Sequence, residues 1–125
     1  EYAERGILVE QDFPPDLPVI MADAERLKQA LLNLCKNAVE AMAGGGTLTI
    51  RGRQADGLVS VDISDTGVGI PEDVNIFQLF TTTKDHGTGL GLAIVRQIIS
   101  AHRGTVSYRS TPGKGTTFTV SLPVQ

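Results

Sequence analysis

Apolar and polar positions along this chain repeat with two periods, and the period changes wherever glycine or proline interrupts. Ile7 to Phe13 reads as a first strand, followed by a proline-rich crossing at Pro14, Pro15 and Pro18. Asp23 is a good N-cap for a helix running to about Ala43, with Leu27, Leu31, Leu34, Ala38 and Ala41 as its core stripe. Gly44-Gly45-Gly46 stops that helix. Thr47 to Arg53 and Leu58 to Asp65 alternate as two strands around an Asp56-Gly57 turn, the signature of an antiparallel hairpin. A second helix spans about Gly89 to His102, with Gly104 as its C-terminal stop. Thr105 to Ser110 and Thr116 to Leu122 form a last hairpin across Pro112-Gly113. The sum predicts an α+β two-layer sandwich: a mixed, mostly antiparallel sheet with helices on one face.

Composition adds bounds to this picture. A chain of 125 residues, 41% apolar and 20% charged, is one domain that can bury a core without disulfides. It begins at Glu1 rather than Met and is expected to be a fragment, residues 1–125 being one domain of a longer protein. No apolar run approaches membrane-spanning length, so no direct membrane contact is expected of this domain. The net charge of −3 argues against nucleic acid and gives no bulk attraction to an anion. Phosphates would have to be held by local amides, a lysine and a metal. The lone Cys35 fits a reducing, cytoplasmic compartment, whether or not the parent is membrane-anchored. On the stripe Leu31, Cys35, Ala38, Met42 it reads as a small buried hydrophobe.

Two glycine-rich stretches carry the chemistry: Asp65-Thr-Gly-Val-Gly-Ile70 and Gly87-Thr-Gly-Leu-Gly-Leu92. Neither is a Walker loop, since no Gly-Lys-Ser/Thr follows four free positions. Neither is a dinucleotide fingerprint, since Gly87, Gly89 and Gly91 are evenly spaced. Together with a preceding helix that bears Asn33 and Asn37, they describe a nucleotide site assembled from separate segments.

Asp65 is the sharpest residue. It continues the inward row of Val59, Val61 and Ile63, and an ionised carboxylate there is costly unless something donates to it. The exocyclic amino group of a purine would serve. Equally, Asp65 could cap the Thr66-Gly67 turn, a common task for aspartate. Gly67 and Gly69 favour a backbone passing close to a flat ligand. Asn33 and Asn37 share a helix face that Glu40 extends, and the oxygen of Asn37 is a hard ligand suited to Mg²⁺, with Asn33 in support. Such amides are otherwise ordinary solvated surface. Gly87 to Gly91 leads into a helix whose free amides make an anion site. Thr81 to Gly87 is short and polar, as a lid would be, and Lys84 is its natural phosphate contact or else a solvated lysine. His86 reads as a lid residue. His102, at a helix C-terminus where a cation is favoured, reads as structural. Thr116 shares the inward row of Phe118, Val120 and Leu122, where its hydroxyl reaches either the ligand of Asp65 or backbone.

At this point the chain resembles the catalytic and ATP-binding domain of sensor histidine kinases, in the superfamily of gyrase, the heat-shock chaperone ATPases and MutL. Leu32 to Ala41 resembles the asparagine box, Asp65 to Pro71 the first glycine box, Ile76 to Lys84 the phenylalanine box and Gly87 to Val95 the second glycine box. The ending Gly113 to Pro123 is also typical. The four boxes stand in order, and the likeness covers nearly the whole chain. The resemblance implies the Bergerat-type fold, ATP and Mg²⁺. Asp65 would receive the adenine amino group, with Gly67, Gly69 and Ile70 beside it, and Asn37 would hold the metal. Segment 81–88 would be the ATP lid, with Lys84 in it and Phe77 and Phe80 anchoring its base. Thr88, Gly89, Leu90 and Gly91 would hold phosphate, and Thr116 would complete the base site. The catalytic set is Asn33, Asn37 and Lys84.

The implied activity is transfer of the γ-phosphate to a histidine on a separate dimerisation and phosphoacceptor domain of the parent chain, with a response regulator downstream. A gyrase-type hydrolase would carry a glutamate base one turn before its magnesium asparagine, where this chain has Asn33. A sigma-factor-regulating serine kinase of the same fold and a non-catalytic nucleotide sensor are the remaining alternatives.

Overall fold

The computed structural model describes residues 6–14, 23–42, 44–68 and 87–124, with side chains omitted over 87–92. Among the described residues, five strands and two helices follow one another: β1 (Ile7–Asp12), α1 (Ala24–Glu40), β2 (Gly46–Ala55), β3 (Leu58–Asp65), α2 (Gly87–Ala101), β4 (Thr105–Thr111) and β5 (Gly115–Pro123). They build one sheet in the order β1-β2-β3-β5-β4. β1 runs parallel to β2, and every other pairing is antiparallel. The expected two-layer α+β sandwich is what forms.

Turn chemistry sets the register. Asp56 and Gly57 both have positive φ, 54° and 77°, the pair of left-handed conformations that a tight two-residue hairpin requires. That turn pairs Leu58 with Ala55 and carries the register along to Asp65 opposite Leu48. One side of the sheet is apolar: Leu48, Ile63, Phe118, Val120 and Leu122 are buried against Leu34, Ala38, Val95, Ile98 and Ile99 of the helices. The other side is polar. Hydroxyl pairs cross it from Ser60 to Ser121 (2.9 Å) and from Ser64 to Thr117 (2.8 Å), and Arg53 pairs with Asp62 at 3.1 Å.

Helix α1 starts as predicted. Asp23 Oδ1 accepts the N–H of Arg26 at 3.3 Å, satisfying one of the unpaired first-turn amides. It ends at Glu40, earlier than the predicted Ala43, because Ala41 already serves as its C-cap. Its buried stripe also differs from the predicted one. Ala30, Leu34, Cys35, Ala38 and Val39 are buried, whereas Leu27, Leu31 and Ala41 are only partly so. A helix wedged between a sheet and a second helix buries two faces, and a single stripe at three- and four-residue spacing describes one of them. Cys35 is indeed buried, and burial pushes its thiol upward, away from the reactive thiolate.

Helix α2 begins two residues earlier than predicted and closes differently. Arg103, not Gly104, takes the left-handed conformation, with φ of 63°. The N–H of Arg103 reaches the carbonyl of Ser100 and that of Gly104 reaches the carbonyl of Ile99, a Schellman closure. Gly104 is needed for another reason: a Cβ there would lie 2.4 Å from the carbonyl oxygen of Ser121. No helix among the described residues is long and apolar enough to cross a membrane.

Candidate functional site at the end of the sheet

Three features converge where β3 ends: the carboxylate of Asp65, the turn that follows it, and the C-terminal turn of α1. Strand alternation puts Asp65 in the inward row, and it is 8% exposed. Its Oδ1 accepts the N–H of Gly67 at 2.8 Å, so the turn-capping role is real. It does not use up the group, because a carboxylate offers about four lone-pair sites on its two oxygens. Burial pushes the Asp65 carboxyl above its ordinary range, and backbone N–H groups of Gly67 and Thr116 partly oppose this. A buried carboxylate held only by amides, with its titration raised, is the type of group that a ligand donor stabilises.

The turn after Asp65 lies directly on α1. Val68 donates its N–H to the carbonyl of Ala41 at 3.3 Å, and a Cβ on Gly67 would fall 2.3 Å from that same oxygen. Gly67 is therefore glycine because helix and turn touch backbone to backbone. Thr66 fastens the corner from the other side. Its Oγ1 accepts the N–H of Thr47 at 3.0 Å and points its proton at Met42 Sδ, 3.6 Å away. The β4–β5 turn joins as well, with Gly113 donating to the Val68 carbonyl at 2.7 Å.

One helical turn before Ala41, Asn37 is half-buried, and its Nδ2 is fully buried with no hydrogen-bond partner among the described residues. Such an orphaned amide is costly in a folded protein. It marks a place where a polar ligand group belongs. Asn33, a further turn back, is half-buried, while Glu40 at the end of the row is exposed. Among the described residues, no group of three or more His, Cys, Asp or Glu could hold a metal.

Thr88, Gly89, Leu90 and Gly91 fall in the first turn of α2 rather than in a loop before it. Of these, the amides of Thr88 and Gly89 belong to the set that a helix leaves unpaired at its N-terminus, while Leu90 and Gly91 follow in the hydrogen-bonded helix. His102 locates that turn. Its Nε2 accepts the N–H of Asp23 at 3.0 Å, joining the end of α2 to the start of α1, so the packed helices run antiparallel. At 1.5 Å per residue they are about 25 and about 22 Å long, so the N-terminus of α2 reaches back to the Asn37 end of α1. The structural role expected of His102 holds, with a different cause. An Nε2 that accepts a proton leaves Nδ1–H to donate to the Ile98 carbonyl at 2.9 Å, so the ring acts as a neutral bridge.

Thr116 is 6% exposed and stands opposite Asp65 in the β3–β5 register. Among the described residues its hydroxyl meets a side chain: Thr116 Oγ1 lies 2.8 Å from Ser110 Oγ on β4. Ser110 was not singled out in the sequence, although the Thr111–Gly115 closure of the last hairpin places it opposite Thr116. Thr66 and Gly115 were missed too; a Cβ on Gly115 would lie 2.1 Å from the Asp65 carbonyl oxygen. Gly69, Ile70, Phe77, Phe80, Lys84 and His86 lie outside the described residues, as do the side chains of Thr88 and Leu90.

Comparison with known proteins bears on the same corner. Residues 22–125 match the family described as histidine kinase-, DNA gyrase B- and HSP90-like ATPase. The sensory histidine kinase/phosphatase NtrB of Rhodobacter capsulatus is 43% identical over 94% of this chain and 37% of its own length. The sensor histidine kinase ZraS of Klebsiella oxytoca is 45% identical over 98% of this chain and 27% of its own. The chain thus spans about a third of these relatives or less. Among solved structures, full-length ShkA in complex with AMPPNP superposes with a TM-score of 0.85 at 35% identity, covering 98% of this chain and 26% of that one. The catalytic domain of histidine kinase ThkA gives 0.83 at 34%, covering 97% of this chain and 81% of that one. With the fold, the boxes and these likenesses in agreement, the chain belongs to the histidine kinase-, DNA gyrase B- and HSP90-like ATPase family, as an ATP-binding catalytic domain of the histidine kinase kind.

Proposed function

We propose that this domain binds Mg·ATP at the Asp65 corner and presents the γ-phosphate to a histidine on a phosphoacceptor domain of its parent chain, in cytoplasmic two-component signalling. The observation that carries the reading is the buried carboxylate of Asp65, which keeps acceptor capacity for a ligand donor beyond the backbone N–H groups of Gly67 and Thr116. Adenine offers an amino group at that edge, whereas guanine offers a carbonyl oxygen that would face the charge. Gly69 and Ile70 follow in the same glycine box and would flank the base.

Asn37 would offer Mg²⁺ its carboxamide oxygen, a hard ligand, and the metal needs few protein oxygens because it keeps water and bridges phosphates. Its buried Nδ2, a donor with no acceptor among the described residues, fits a phosphate or water oxygen rather than the cation. Bound there, the metal would neutralise charge on the phosphates. Asn33 supports that face, and Lys84 together with the segment Thr88, Gly89, Leu90 and Gly91, whose amides at Thr88 and Gly89 are unpaired at the helix start, would hold the phosphate oxygens.

The chemistry left to the protein is positioning and charge stabilisation. A nitrogen of the incoming histidine bonds to the γ-phosphorus, the bond to the bridging oxygen breaks, and ADP leaves with the electron pair. The nucleophile must come from the partner. Both ring nitrogens of His102 are already engaged, and His86-Gly87-Thr88 lacks the acidic neighbour that such an acceptor carries. Water is a poor substitute, because Asn33 cannot accept its proton. A response regulator would then receive the phosphoryl group.

Titration with ATP and GTP tests the base site. A hydrogen bond to a charged group contributes about 1.5–3 kcal/mol, so Asp65→Ala should weaken ATP about ten- to a hundred-fold. Equal affinity of the unaltered domain for ATP and GTP would rule the role out. Asn37→Ala should abolish the magnesium-dependent part of ATP affinity and spare adenosine. Unchanged magnesium dependence would move the ligand elsewhere.

A further inference from the structure

We propose that Thr66 is a positioning residue for the nucleotide as a whole: its hydroxyl holds the base end of the site, at Asp65, and the metal end, at Asn37, at one separation. The inference rests on the reading that Asp65 receives the adenine amino group and Asn37 the metal. Those two residues stand on different elements, β3 and α1. A ligand that engages both must find them correctly spaced, or lose binding energy in bringing them there.

Three elements meet at this one hydroxyl. Thr66 follows Asp65 at the end of β3, and its Oγ1 accepts the N–H of Thr47, at the start of β2, at 3.0 Å. Its single proton points at Met42 Sδ, 3.6 Å away and just past the end of α1. The bond from Thr47 fixes the oxygen and thereby aims the proton at the sulfur. Gly46 leaves the room for this contact: a Cβ there would lie 2.5 Å from Thr66 Oγ1 and 2.7 Å from Met42 Sδ.

From this contact the connection runs to both ends of the site. On the helix side, Ala41, the neighbour of Met42, donates its N–H to the Asn37 carbonyl at 3.0 Å. On the turn side, Gly67, the neighbour of Thr66, donates to Asp65 Oδ1 at 2.8 Å. Among the described residues, the other hydrogen bond between turn and helix is from Val68 N–H to the Ala41 carbonyl, and at 3.3 Å it is long. Two points fix an orientation that one leaves open. Neither end needs the hydroxyl for itself: Asp65 is paired with Leu48 and Thr116 in the sheet, and Asn37 lies within α1. What Thr66 sets is how the two sit relative to each other.

The test is titration of the domain, Thr66→Val and Thr66→Ser with adenosine, which engages the base end alone, and with Mg·ATP, which spans both ends. Thr66 is exposed, so neither variant disturbs the core, and valine keeps the shape while removing the hydroxyl. Thr66→Val should leave adenosine affinity unchanged and weaken Mg·ATP by about three- to tenfold, the equivalent of one neutral hydrogen bond. Thr66→Ser, which keeps the hydroxyl, should restore Mg·ATP. A merely structural role would weaken both ligands alike. Equal losses, no loss of Mg·ATP, or a serine variant no better than the valine would overturn the proposal. A double-mutant cycle adds an independent arm. With Asn37→Ala in place the metal end is gone, so Thr66→Val should then cost Mg·ATP nothing further, and additive losses overturn the proposal. Asp65→Asn in the otherwise unaltered domain tests the underlying reading separately. If that variant binds adenosine as tightly as before, the Asp65 reading fails and the proposal falls with it; if adenosine weakens and only the Thr66 arms fail, Asp65 stands and Thr66 does not.

Discussion

The imidazole of His102 closes the far end of the helix pair by accepting the backbone N–H of Asp23 at 3.0 Å. Asp23 is the N-cap of α1, and His102 follows the last residue of α2, so one ring sets how the two helices sit along each other. His102→Ala removes two hydrogen bonds of about 0.5–1.5 kcal/mol each, and urea unfolding should show a loss of about 1–3 kcal/mol. His102→Gln, whose carboxamide can accept from Asp23, should recover part of it. Equal losses in both variants would mean that packing, not the bridge, is what matters.

Gly67 is fixed by sterics rather than by conformation. Gly67→Ala drives a Cβ against the Ala41 carbonyl, so the turn and α1 must separate. Overpacking of this kind costs about 1–3 kcal/mol, and ATP affinity should fall with it because the turn positions Asp65. Gly113→Ala is the comparison. It meets nothing within 4 Å but holds φ at 81°, so it should cost about 1–2 kcal/mol of stability and leave affinity intact.

Asp65 predicts opposite responses of folding and binding to acid. Burial raises its carboxyl in the folded state above its unfolded value, so the ionised form disfavours folding above the folded pKa. As pH falls through that pKa, this group adds stability, while the charge that would receive the amino group disappears. ATP affinity should therefore begin to drop at a pH above the ordinary carboxylate range. Asp65→Asn should abolish that drop, weaken ATP at neutral pH and leave the melting temperature of the nucleotide-free domain unchanged or higher. A strongly lowered melting temperature would show that the carboxylate serves the fold instead.

Asp62, on the opposite face, predicts the reverse. Burial alone would raise its carboxyl, but hydrogen bonds from Arg53 and Thr119 and the charges of Arg53 and Arg109 outweigh it and hold the group below its ordinary range. Its contribution is fully present above the unfolded carboxylate pKa and is lost as pH falls through the lowered folded value. Asp62→Asn should destabilise the domain at neutral pH and flatten the acid limb of its stability profile. ATP affinity should not change, since the helices and the site lie on the other side of the sheet.

Much of this was legible in the sequence because strand alternation is strict. Val59, Ile63 and Asp65 on β3, and Thr116, Phe118, Val120 and Leu122 on β5, all point inward as their period requires. Helix α1 was harder to read: Ala30 and Val39 are buried because α2 covers a second face, and no local period announces a neighbouring helix. Glycines misled for a related reason. Gly104 looked like a helix stop and Gly67 was read only for its approach to a ligand, yet both are also required by a carbonyl that only the tertiary fold brings near. Ser110 was within reach, since the hairpin register that aligns Thr111 with Gly115 also aligns it with Thr116.

The central claim is that this domain positions Mg·ATP for a nucleophile it does not itself contain. Incubation of the 125 residues with γ-labelled ATP, alone and with the helical phosphoacceptor domain of the parent, tests it most directly. The account predicts nucleotide binding without self-labelling or appreciable phosphate release by the domain alone. With the partner, it predicts label on histidine as a phosphoramidate that acid removes. Acid-stable label on the isolated domain, or brisk phosphate release without a partner, would contradict it.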